Sequence, residues 1–135
     1  MSTVEELIAG WSAAFNARDA EQLIALFGDD LIYEDLPLQL VCKSRDELRA
    51  FVEPWFAAVP DFAMRIDEVV VQGDRAAVRW TWSGTQEGPL SADLPASGKR
   101  FVTVGMSWLE ASNGQLRQVI DSWDLLIVLK QLGFA

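Results

Sequence analysis

Apolar residues recur at helical spacing in the first half of the chain and alternate with polar ones in the second. Val4, Leu7, Ile8, Trp11, Ala14 and Phe15 repeat every three or four positions behind the capping box Thr3-Val4-Glu5-Glu6, and they predict a first helix. A short second helix is predicted from Asp19, with Gln22 three residues on and Leu23, Leu26 and Phe27 as its apolar side; Gly28-Asp29-Asp30 ends it. Leu31 to Glu34 reads as a short strand closed by Asp35-Leu36-Pro37. Ser44 with Glu47 forms a further capping box, and Leu48, Phe51, Val52, Trp55 and Phe56 form the stripe of a third helix whose last turn Pro54 is expected to kink.

From Phe62 the period changes to two. Phe62–Val71 and Arg75–Trp82 are predicted strands joined at Gln72-Gly73-Asp74. Arg100–Glu110 and Gln115–Asp121 form a second predicted hairpin across Ser112-Asn113-Gly114, where Asn-Gly is a strong turn signal. The Gly-, Pro- and Ser-rich stretch Ser83 to Gly98 reads as a long loop or arm, and Leu125–Leu132 as a final apolar helix. Helices followed by antiparallel strands indicate a single α+β domain over residues 1–135. Its expected form is a cone: a curved antiparallel sheet with the N-terminal helices over its concave face, and a small-molecule pocket at the open end.

Composition narrows the chemistry. The 135 residues carry a formal net charge of −9 and include six tryptophans, one cysteine and no histidine. A polyanion would be repelled, so nucleic acid and anionic membrane surfaces are poor partners. Without histidine the commonest metal ligand and the commonest acid/base group are both missing, and no metal is expected. Proton chemistry then falls to Asp, Glu, Tyr, Lys or water. Cys42 excludes an intrachain disulfide and reads as a small apolar residue. The acidic start lacks a signal-peptide pattern and no apolar run spans a membrane, so a cytoplasmic protein is expected.

Asp121 is the leading candidate for chemistry. It stands at the end of the last strand among Val119, Ile120 and Trp123, where an apolar surround shifts a carboxyl's proton affinity and fixes its direction. The alternative is a rim carboxylate paired with Arg79 or Arg117. Asp124 precedes an apolar helix as an N-cap does. Asp35 is a second candidate base, with turn chemistry before Leu36-Pro37 as its structural alternative. Tyr33 and Asp35 are read as leaving the first strand on opposite parities, so one of them is expected to face the cavity, Tyr33 as a hydrogen-bond donor to a carbonyl. Trp80 and Trp82 share one strand face and Arg79 and Thr81 the other. Such aromatics serve core and interface more often than ligand walls, and the same holds for Trp11, Trp55, Trp108 and Trp123.

Four segments in order carry a family resemblance: Phe15-Asn16-Ala17-Arg18-Asp19; Gly84-Thr85-Gln86-Glu87-Gly88-Pro89; Pro95-Ala96-Ser97-Gly98-Lys99; and Gly114-x-Leu116 followed by Asp121, Asp124 and Gln131-Leu132-Gly133. With the element order, the chain resembles the nuclear-transport-factor-2-like fold, and within it the SnoaL-like polyketide cyclases. That resemblance implies an aspartate near the end of the last strand as general acid/base for an intramolecular aldol closure, and Asp121 matches it. Epoxide hydrolases of the fold also need an Arg-x-Asp, where this chain has Arg79-Trp80-Thr81. Ketosteroid isomerases resemble it at Leu26-Phe27-x-Asp29-Asp30 and at Glu34-Asp35, with Asp35 as base, but Trp11 and Met106 or Ser107 stand where their oxyanion tyrosine and aspartate belong. Cyclase histidines correspond to about Gln86 and Ser107, which hydrogen-bond but carry no proton near neutrality.

The expectation is a cofactor-independent enzyme moving protons on an apolar or aromatic carbonyl compound, with polyketide-type aldol cyclisation as its leading reaction. Asp121 and Asp35 are the candidate catalytic residues. Tyr33, Trp11, Trp55, Gln86, Ser107, Arg79 and Trp123 are the candidate ligand contacts. A hydrolase or isomerase of the same fold and a non-catalytic binding module are the alternatives, and a homodimer through the sheet is expected.

Overall fold

A computed structural model describes residues 1–135. Helix α1 (Val4–Ala17) is capped by Thr3 and Glu6 through reciprocal bonds and buries the six apolar residues that predicted it. Helix α2 (Ala20–Ile24), capped by Asp19, follows; then come β1 (Phe27–Asp35), β2 (Leu40–Cys42) and α3 (Arg45–Ala58). Strands β3 (Ala63–Gln72), β4 (Arg75–Thr85), β5 (Arg100–Ser112) and β6 (Gln115–Trp123) form a long meander, and α4 (Leu125–Leu132) closes the chain. Asn113 and Gly114 both take positive φ (54° and 73°), the two-residue primed turn that matches strand twist.

The six strands make one sheet in the order β2-β1-β6-β5-β4-β3. The expected antiparallel pairing holds between all neighbours except β1 and β6, which run parallel. β1 reaches back to Phe27, four residues before its predicted start, because its first residues pair with Leu116 of β6 across a register shift. β2, a short edge strand, had no counterpart in the sequence reading.

One apolar core lies between helices and sheet, with Trp11, Phe27, Trp80 and Leu109 fully buried in it. β5 alternates exposed and buried residues along its length, so one sheet face is in the core and the other faces out. On the outer face Val102, Val104, Met106 and Trp108 stand exposed in a row. Trp108 therefore lies on the opposite side of the sheet from Trp80 and Trp82.

The four segments that carry the family resemblance prove to be joints of this frame. Asn16 exchanges two hydrogen bonds with the backbone of Met64 (2.8 and 3.0 Å), and Arg18, at φ 51°, donates to the Phe62 carbonyl at 2.9 Å. The Gln86 side-chain amide donates to the Leu94 and Pro95 carbonyls at 3.1 Å each, tying the arm between β4 and β5 to itself. Asp124 caps α4 through the Ile127 N–H, and Gln131 makes two bonds to the Val102 backbone where β5 has outrun β6. No helix is long and apolar enough to cross a membrane.

Candidate active site

The parallel pairing of β1 with β6 sets Asp35 directly beside Asp121, in register on adjacent strands about 4.8 Å apart. Both point into the cone and both are buried, at 2 % and 1 % exposure. Tyr33 lies two residues before Asp35 and so shares its face. The expectation that only one of them would face inward is corrected: Tyr33, Asp35 and Asp121 all line the same cavity.

Asp121 is held at both oxygens. Tyr33 Oη donates to Oδ2 and Ser107 Oγ donates to Oδ1, each at 2.5 Å. Ser107 faces Asp121 across the β5–β6 ladder and in turn accepts the Trp80 indole N–H at 2.8 Å. Trp80 fits there because residue 105 is glycine; a Cβ at that position would stand 2.3 Å from the Trp80 ring and 2.8 Å from the Ser122 carbonyl. Gly105→Ala must push the indole aside or bend β5. It is expected to cost about 1–3 kcal/mol in chemical denaturation as an overpacked core position, and to lower activity by slackening the bonds behind Asp121.

Asp35 is held differently. Its Oδ2 accepts the Trp123 indole N–H at 2.9 Å and its Oδ1 the Leu38 backbone N–H at 3.1 Å. Neither carboxylate has a basic partner, because Arg79 pairs with Glu68 on the outer face at 3.2 Å and Arg117 with Asp30 at 3.5 Å. Arg79 is thereby removed from the ligand-contact set. Its strand parity puts it on the side of the sheet away from the cavity.

Uncompensated burial sets the proton affinities. Desolvation, opposed by the Ser107 and Tyr33 hydrogen bonds and helped by the charge of Asp35, brings the Asp121 carboxyl up to about 7. Desolvation also raises Asp35, with the Trp123 and Leu38 donors opposing. Tyr33 is driven well above the ordinary phenol value, first by burial and then by the neighbouring Asp121 charge, so it stays protonated and a donor. Burial pushes the Cys42 thiol up to about 11, which leaves it inert.

The cavity is narrow, with a volume of ≈ 30 Å³, enough for about one water. Its walls are aromatic: Phe51 and Trp55 of α3, Trp82 of β4, and Trp123. Trp55 meets Trp123 edge-on at 6.1 Å, and Trp82 stacks on Trp80 at 3.6 Å. The Trp82 indole N–H is buried without an acceptor.

Of the expected ligand contacts, Tyr33, Trp55 and Trp123 line the cavity with both aspartates. Trp11 does not. It is wholly buried in the core, edge-on to Phe15, and its N–H has no hydrogen-bond partner. Gln86 is also buried away from the cavity, its amide spent on the arm. Ser107 stands behind Asp121 rather than beside a ligand. Phe51 and Trp82 were missed as walls; Phe51 was read as helix stripe and Trp82 as core or interface.

A curved, unclosed six-stranded sheet with helices over its concave face and two acids inside the cone defines a nuclear-transport-factor-2-like domain, the ketosteroid isomerase-like fold. The sequence matches the SnoaL-like polyketide cyclases over residues 5–132, and the chain belongs to that family. Among solved structures it is similar to TsrD from Streptomyces laurentii, with 32 % identity, a TM-score of 0.84 and coverage of 98 % of this chain and 96 % of that one. IdmH from Streptomyces antibioticus, described as a candidate polyketide cyclase, is similar at 22 % identity and TM-score 0.82, over 96 % of this chain and 98 % of its own. A protein with a ketosteroid isomerase-like fold from Catenulispora acidiphila, solved in complex with trimethylamine, is similar at 19 % identity and TM-score 0.83, over 96 % and 94 % of the two chains. No curated protein matches the sequence.

Proposed function

We propose that this protein is a cofactor-independent enzyme that moves a proton on a neutral carbonyl compound, and that its reaction is an aldol cyclisation of a polyketide-type substrate. The observation that carries this reading is Asp121: a carboxyl buried without any cation, oriented at both oxygens, and titrating near 7. A base is most effective when its pKa lies near the working pH, and this one is about half ionised there.

In the proposed cycle the Asp121 carboxylate takes a proton from the carbon alpha to a carbonyl. The C–H electrons move into the enolate, whose carbon attacks a second carbonyl of the same molecule. The proton held on Asp121 then passes to the new alkoxide. Tyr33 and Ser107 keep the carboxylate in place, and Tyr33 stays neutral throughout. Both hydroxyls already donate to Asp121, so neither is free for the enolate oxygen. Among the residues that line the cavity, Trp82 has the one buried indole N–H left without a partner, and that N–H is the donor assigned to it here. Asp35 contributes a second carboxyl whose charge tunes that of Asp121.

The test is proton exchange. 2-Acetylnaphthalene deuterated on its methyl group should lose deuterium faster with protein than in buffer, and Asp121→Asn should lose the acceleration. Equal acceleration by both proteins overturns the acid/base role and leaves the binding-module reading.

We also propose a homodimer through the outer sheet face. Val104 and Met106 are 59 % and 55 % exposed beside Val102 and Trp108, an apolar row of the kind that self-association hides. Sedimentation at micromolar concentration should show a species of twice 15.0 kDa; a 15.0 kDa species alone refutes it. Val104→Lys, directly in the row, should shift the equilibrium toward monomer.

A further inference from the structure

The inner cavity, at ≈ 30 Å³, is far too small for an organic carbonyl compound. A second depression lies directly outside it, an open groove of ≈ 560 Å³ between α3 and the β1–β2 corner, within the usual range for small-molecule sites. Leu38, Leu40 and Val41 form one wall, Ala50 and Pro54 of α3 the other, and Leu90 of the long arm closes one end. The two spaces share Phe51 and Trp55 as walls. These two rings are all that the groove and the cavity have in common.

Their far sides rest on the residues that hold the acids. Phe51 packs against the Tyr33 ring at 6.2 Å, and Tyr33 donates to Asp121. Trp55 packs against Trp123 at 6.1 Å, and Trp123 donates to Asp35. Both partition rings are only half-buried, and they flank Pro54, which sits inside α3 and has no N–H to give to the Ala50 carbonyl. The helix therefore lacks one backbone hydrogen bond in the turn that carries the partition.

The lining also defines the occupant. Its ionisable groups are Glu47 and Cys42 in the groove and Tyr33, Asp35 and Asp121 in the cavity, with no cation in either. An anionic body would meet no compensating positive charge.

We infer that the groove is the binding site for the body of the substrate, a neutral, extended, largely apolar molecule, and that Phe51 and Trp55 form a gate through which its reacting carbonyl end enters the cavity. The second half of this inference rests on the proposed role of Asp121; the first half does not.

Two measurements separate them. The neutral probe N-phenyl-1-naphthylamine should bind the wild-type protein with enhanced fluorescence. Ala50→Trp and Val41→Trp, at exposed positions on opposite walls of the groove, should each raise its Kd at least tenfold, whereas Asp121→Asn should change it less than threefold. Unchanged affinity in both groove variants, or no binding to the wild type, overturns the groove as a site. In the exchange assay, Ala50→Trp should raise KM for deuterated 2-acetylnaphthalene at least tenfold without moving the pH midpoint. An unchanged KM means the carbonyl reaches Asp121 by another route and overturns the gate. If the wild type does not accelerate exchange at all while the groove variants still weaken the probe, the groove stands and the role of Asp121 falls.

Discussion

Replacing Asp121 by asparagine should lower deuterium exchange by about 10²–10⁴-fold, the usual contribution of a positioned acid/base group. The amide keeps the shape of the side chain and cannot take up a proton. In the wild type the rate should rise with pH through one ionisation and level off above about 7, because the proton-accepting form is the carboxylate and burial holds its pKa there. No histidine is present to contribute a competing ionisation in that range. Asp121→Asn should erase the rising limb. Asp35→Asn should only move its midpoint down slightly, by removing a nearby negative charge. A rate that is flat from pH 5 to 9 would mean an unshifted Asp121 exposed to water.

The same ionisation should make stability fall with rising pH. Folding lifts the Asp121 carboxyl from 3.8 to about 7, so between those values the folded chain binds a proton that the unfolded chain releases. The stabilisation is complete below about pH 4 and is lost as pH rises through 7. A rise of that size corresponds to about 4 kcal/mol, at about 1.4 kcal/mol per pH unit. Asp35, raised by the same burial, acts in the same direction. Asp61 and Asp67, lowered by their hydrogen bonds, act oppositely and only in the acid range, as stability lost when pH falls through their folded values.

Asp121→Asn removes the main pH-dependent contribution and adds a constant cost. Its NH₂ group must face a hydroxyl that now donates, an unmet hydrogen bond worth about 1–3 kcal/mol. The variant should therefore unfold more easily than wild type at pH 4 and less easily at pH 9 in urea titrations. Parallel stability profiles for the two proteins would show that Asp121 is not shifted.

Local signals in the sequence carried the frame well. The capping boxes at Thr3 and Ser44, the Asn-Gly turn and the period-two runs all mark elements that form within a few residues of their predicted ends. The family-like segments serve the frame: Asp124 and Gly133 cap α4, and Asn16 and Gln131 join distant backbone at Met64 and Val102. They therefore speak for the fold and are silent about the reaction. Asp121 stood out because an acid amid Val, Ile and Trp is locally anomalous.

What was illegible is non-local. Nothing in Leu31 to Glu34 says that β1 lies parallel to a strand more than eighty residues later, yet that pairing sets Asp35 beside Asp121. Tyr33 could be placed near a ligand from strand position and Ser107 from the family's histidine position, but their hydrogens are committed to Asp121. Arg79 alternates with the inward-facing Trp80, and that alternation already places it outside. Gln86 was drawn in by the family's histidine position, and only the course of the arm shows its amide tied to Leu94 and Pro95.

The sheet order carries a consequence for how the molecule is made. β6 is the last strand synthesised, yet it occupies an interior place, with β1 on one side and β5 on the other. Until it leaves the ribosome, the β1–β2 pair and the β3–β4–β5 meander share no hydrogen-bonded border, and β1 and β5 each present a bare edge flanked by apolar side chains. Such edges invite pairing with other chains. Nascent chains stalled before Gln115 should thus depend on chaperones far more than the finished protein, and the acid pair comes into being at the moment this hazard ends.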